Sequence, residues 1–86
     1  MHGGFVMVSD EELRRIYNLF TDCWRYFKKY VDVSDEDIYW ENVVSESGEL
    51  SNKYNNDKFA IALILAVVDE FERKAKELRK NADTAV

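Results

Sequence analysis

Ten consecutive apolar residues, Phe59-Ala-Ile-Ala-Leu-Ile-Leu-Ala-Val-Val68, constrain this chain more than any other feature. A helix needs about twenty apolar residues to cross a bilayer, so the run is too short to span one. It is also broader than the single stripe that an amphipathic surface helix turns toward its core. Such a segment needs cover from more than one direction, and a chain of 86 residues has little else to supply it. On a helical wheel most of the run can face two neighbouring helices. Ile61, Leu65 and Val68 point elsewhere and form a surplus, expected to be covered either inside the bundle or by a second chain.

A chain of this size buries roughly 60–65% of its unfolded surface and usually gains stability from a disulfide, a metal or a partner subunit. Cys23 is the only cysteine and His2 the only histidine, so an internal disulfide and the usual Cys/His zinc sets are excluded. Association remains. Two Trp, five Tyr and five Phe rule out disorder for most of the chain. The absence of proline and the supply of Leu, Ala, Glu, Lys and Arg point to an all-α fold. A formal charge of −5 argues against a general binder of nucleic acid or anionic membrane. With one cysteine and no visible signal peptide or membrane span, the expected location is cytoplasmic.

Residues 1–8 are expected to be a disordered or non-native extension. The codons of Gly3 and Gly4 can spell a ribosome-binding sequence placed normally for a start at Met7, which makes Met7 an alternative first residue to Met1.

Three helices are expected, over about 10–31, 35–54 and 57–80, with 81–86 as a frayed tail. Ser9 and Glu12 form a capping box, and Asp10, Glu11 and Glu12 suit the positive end of the helix dipole. Leu13, Ile16, Tyr17, Phe20, Cys23, Trp24, Phe27, Tyr30 and Val31 recur at three and four and predict the buried stripe of the first helix. Ser34 is the expected cap of the second, which carries Ile38, Trp40, Val43, Val44, Ser47, Leu50 and Tyr54. Its periodicity continues through Gly48, which favours one weakened helix over a break there. Asn55-Asn56 signals a turn, and Asp57 caps the third helix. Short links between helices of this length give an up-down-up three-helix bundle in a single domain, residues 9–80.

Glu46 and Glu49, three apart on a helix, are the one candidate pair for a divalent cation. The segment Glu46-Ser47-Gly48-Glu49-Leu50 resembles the metal-binding helix of MazG-like nucleotide pyrophosphohydrolases, whose signature is Glu-Glu-x-x-Glu. Ser45 stands where the family has its first glutamate, and the second acidic pair would fall to Asp69 and Glu72. Hairpin reflection about Asn55-Asn56 places Glu46 and Glu49 opposite Leu65 and Ala62, with Asp69 about 6 Å further along the axis. A solvated helix face is the expectation, and no metal or cofactor is assigned.

Arg25-Tyr26-Phe27-Lys28-Lys29-Tyr30 interleaves cations and aromatics as single-strand platforms do, although Phe27 and Tyr30 also belong to the core stripe. Cys23 lies on that stripe and has no histidine to activate it, so a buried, inert thiol is expected. Trp24 and Trp40 are expected in the core, with a partly exposed Tyr39–Trp40 edge as a contact surface.

Tyr39-Trp40-Glu41, Lys53-Tyr54 and an apolar third helix ending in Asp69-Glu70-Phe71-Glu72-Arg73 together resemble small uncharacterised helical proteins of Gram-positive gut bacteria, found in phage and mobile-element contexts. The resemblance implies an accessory or regulatory factor without catalytic residues. The sequence therefore predicts a non-enzymatic bundle acting by protein–protein interaction and pairing as a homodimer through its third helix. Interaction residues are Ile61, Leu65, Val68, Tyr39 and Trp40. A degenerate MazG-like enzyme and a nucleic-acid-associated factor are the alternatives.

Overall fold

The computed structural model describes residues 8–84 and shows three helices, α1 (Asp10–Lys29), α2 (Asp37–Lys53) and α3 (Lys58–Thr84). The expected extension, residues 1–8, lies outside the described residues except for Val8, as do residues 85–86 of the tail. The three helices form the up-down-up bundle. No helix among the described residues is long and apolar enough to cross a membrane.

Local chemistry sets most of the ends. Ser9 Oγ accepts the Glu12 amide at 3.1 Å, satisfying one of the first-turn N–H groups that have no helical partner. Lys28 and Lys29 occupy the last turn of α1, where the dipole favours cations. The second helix begins two residues later than its sequence suggests. Ser34 Oγ accepts from the amide two residues on, Glu36 N–H at 3.0 Å, and this local turn leaves Glu36 as the N-cap without a side-chain bond.

α2 runs unbroken through Gly48, an ordinary helical residue with open space where a Cβ would sit. Its end is a Schellman motif: Asn56 N–H donates to Ser51 C=O at 2.8 Å and Asn55 N–H to Asn52 C=O at 3.0 Å. Both asparagines have φ of 56°, a conformation that Asn tolerates better than most residues. Asp57 Oδ2 then caps α3 through the Ala60 amide at 3.2 Å. α3 continues to Thr84, four residues past its expected end, through Asn81 and Ala82.

The core is small: Leu19, Cys23 and Tyr26 from α1, Val43 from α2, Tyr54 from its C-cap, and Ala60, Ile64 and Phe71 from α3. Phe71 sits at its centre with no exposed surface. Its ring meets Tyr26 edge-on at 5.7 Å, stacks on Phe27 at 5.8 Å and meets Tyr30 at 6.3 Å. α1 and α3 run the same way, since Phe20 meets Phe59 and Phe27 meets Phe71.

Polar groups tie α1 to α2. Tyr26 Oη–H donates to the Val43 carbonyl at 2.7 Å, and Tyr39 Oη–H to the Tyr30 carbonyl at 2.7 Å. Asp22 accepts from Tyr54 Oη–H at 2.6 Å and from Lys53 Nζ at 2.7 Å, while Arg15 donates to the Tyr54 carbonyl at 3.1 Å. These bonds fasten the α2–α3 turn to α1 between Arg15 and Asp22, so the first turn of α1 projects beyond it.

The stripe expected on α1 is rotated. Leu19 and Tyr26 are buried, although neither belongs to the expected set, and Leu13, Tyr17, Phe20 and Trp24 stand exposed. The physical reason is that α1 is apolar over about half its circumference, whereas two neighbours on one side cover only an arc of it. The tyrosine bonds to α2 and the ring contacts to Phe71 select which arc is covered.

Candidate interaction face on α1 and the Glu46 pocket

Leu13, Tyr17, Phe20 and Trp24 follow one another at spacings of four, three and four, which places them on one line along α1. From α3, Phe59 joins that line by an edge-on contact with Phe20 at 6.0 Å. Each of the five keeps between 47% and 69% of its surface exposed. Trp24 is held in place rather than loose: it stacks on Phe27 at 6.1 Å, and the Lys28 ammonium lies 5.4 Å from its ring centre. Single exposed apolar residues are common on any protein, but five contiguous large ones, three of them aromatic side chains on one helix, form a patch.

The residues expected to pair through α3 are divided by the structure. Val68 packs against the core and Ile61 is half-buried, leaving Leu65, at 53%, as the exposed member of the three. Val44 on α2 is exposed, while Tyr39 and Trp40 are half-buried and meet edge-on at 4.8 Å. Tyr39 spends its hydroxyl on the Tyr30 carbonyl. Trp40 lines both a shallow hollow with Asp37, Glu41, Val44 and Ser45 and a groove with Glu72, Ala75, Lys76 and Arg79. Sequence reasoning missed the α1 face because periodicity locates an apolar arc without saying which part of it finds a neighbour. Its width was the available signal: Leu19 and Tyr26 lie outside the expected stripe and extend it.

Glu46 and Glu49 border one pocket, with Lys29, Tyr30, Asn42 and Ser45. Glu46 Oε1 is engaged there by Lys29 Nζ at 2.8 Å and Tyr30 Oη–H at 2.8 Å. Burial alone would push its carboxyl up, but the two hydrogen bonds and the lysine charge outweigh burial and hold it below the ordinary glutamate range. Glu46 is thus already paired with a cation of the chain itself. Asp69 and Glu72 are not brought to the pair, and no group of three or more metal-ligating side chains occurs among the described residues.

Cys23 is buried in the core, where burial and the nearby Asp22 carboxylate push its thiol pKa up, away from the nucleophilic thiolate. In the basic-aromatic cluster Tyr26 is 1% exposed, so its ring offers no face to a nucleobase, and Lys29 is paired with Glu46. Comparison of the chain with protein-family models, with curated proteins and with solved structures gave no match.

Proposed function

We propose that this chain is a non-enzymatic cytoplasmic binding protein whose working surface is the α1 face. The observation that carries the reading is the continuous exposed line Leu13, Tyr17, Phe20, Trp24 with Phe59. Rigid aromatic side chains supply large contact area at small entropic cost, and Trp and Tyr are enriched where interfaces concentrate their energy. The role of an accessory or regulatory factor of a mobile element is supported by the resemblance in Tyr39-Trp40-Glu41, Lys53-Tyr54 and the third helix. The commitment of Glu46 to Lys29 and Tyr30 weighs against the MazG-like alternative, and the burial of Tyr26 against the nucleic-acid one.

The test is site-specific photo-crosslinking in cells, with a photoreactive phenylalanine analogue at position 17 or 24 and, for comparison, at position 49 on the solvated side of α2. Peptide crosslinks concentrated at 17 and 24 are the expected result, whether the captured peptide is foreign or from this chain. Crosslinking at 17 and 24 no stronger than at 49 would refute the reading.

A further inference from the structure

We propose that the occupant of the α1 face is a second copy of this chain, docked with the two α1 helices antiparallel about a twofold axis near residues 18–19. The inference rests on the reading of that face as a binding surface and names its partner.

The face is self-complementary in order. From end to end it reads Asp10, Leu13, Tyr17, Phe20, Trp24, Lys28. Turned end for end against itself, Tyr17 meets Phe20 of the other copy, Leu13 meets its Trp24, and Asp10 meets its Lys28. The two apolar pairings share one centre, midway between residues 18 and 19, and the charged pairing centres on residue 19, within reach of a flexible lysine. An isologous interface requires this property, because each residue must find its counterpart twice under one rotation. A parallel pairing would set Asp10 against Asp10 and Lys28 against Lys28.

Charge supports the same direction over the whole helix. The first turn of α1 is acidic (Asp10, Glu11, Glu12) and the last is basic (Lys28, Lys29). Antiparallel docking puts each acidic end beside a basic end and opposes the two helix dipoles favourably. Asp10 and Lys28 also lie on the same flank of the apolar line, separated by five turns, so the two ends match in height and side together.

The third support is area and shape. The five exposed side chains offer on the order of 600 Å² per copy, hence about 1,200 Å² for a pair, which reaches the lower bound of specific interfaces. Phe59 stands beside Phe20 near the proposed axis, so α3 of each copy brings a second aromatic ring to the centre. The α2–α3 turn is fastened to the opposite side of α1, through Arg15 and Asp22, and leaves this face open to a helix.

Sedimentation equilibrium of the full chain over a range from about 1 to 200 µM tests the proposal, since an interface near the lower size bound must form at least within that range to count as specific association. Dimer is expected for the wild type and for Leu65→Glu, and monomer for Tyr17→Glu and Phe20→Glu, with helical circular dichroism unchanged because both side chains are exposed. Asp10→Lys and Lys28→Asp singly should each weaken the dimer several-fold, and the two together should restore it. A wild type that stays monomeric would overturn the second-copy inference while leaving the binding-face reading to the crosslinking test. Loss of the dimer in Leu65→Glu but not in Tyr17→Glu would place the contact on α3 instead. Failure of the double charge variant to recover would refute the antiparallel arrangement.

Discussion

Phe71→Ala is the most discriminating test of the core. The ring has no exposed surface and contacts Tyr26, Phe27 and Tyr30, so truncation removes its burial and three aromatic contacts and leaves a void between α1 and α3. Truncating a buried phenylalanine costs about 3–5 kcal/mol. A chain of this length has about 4–13 kcal/mol in total, so the loss is about a quarter of it or more. With about 4–8 °C per kcal/mol for so small a domain, the melting temperature should fall by roughly 12–40 °C. Phe71→Leu, which refills much of the space, should cost about 1–2 kcal/mol. The assay is urea unfolding followed by circular dichroism at low micromolar concentration, so that association adds little. Trp24→Ala is the internal control: it removes a larger ring, but one 57% exposed, and should cost under about 1 kcal/mol there. If Phe71→Ala and Trp24→Ala destabilise equally, the division of α1 into a buried and an open arc is wrong.

Three further outcomes follow from the same contacts. Gly48→Ala should stabilise by about 0.5–1 kcal/mol in thermal unfolding, because the helix interior is open at that Cβ and glycine has more freedom to lose; destabilisation would mean that α2 bends or breaks there. Tyr26→Phe should cost about 1 kcal/mol in urea, the net worth of its bond to the Val43 carbonyl, and much less would make that bond incidental. Stability should fall at both pH extremes. Asp22 and Glu46 are held below their ordinary values, so their contribution is complete above about pH 4 and is lost as pH falls through the folded values. Tyr26, Tyr30, Tyr39 and Tyr54 are pushed up, first by burial, so their contribution is complete below about pH 10 and is lost as pH rises toward the folded values. Urea midpoints across pH check both limbs. An acid limb unchanged in the Asp22→Asn, Glu46→Gln double variant would remove the carboxylates as its source.

What was legible in the sequence is what depends on neighbours along the chain. Ser9 and Asp57 cap the helices they precede, Asn55-Asn56 closes α2, and Lys28 and Lys29 sit at the negative end of α1. These are contacts within five residues, set by backbone geometry and side-chain type. Three helices with short links then leave few arrangements besides an up-down-up bundle. Ser34 shows the limit of such signals, since one hydroxyl serves a local turn as readily as a helix N-terminus.

The tertiary structure decided which apolar residues are inside. Composition and spacing make α1 and α3 apolar over more than one stripe, and nothing along the chain says how each helix is rotated. The rotation comes from bonds between distant residues: Tyr26 to Val43, Tyr54 to Asp22, and the rings around Phe71. These turn Leu19 and Tyr26 inward, cover Val68, and leave Leu13, Tyr17, Phe20 and Trp24 outside. The run from Phe59 to Val68 identified an excess of apolar surface for a chain this small. Packing moved most of that excess onto α1, because two neighbouring helices shield an arc of fixed width and the widest apolar helix face is left partly open.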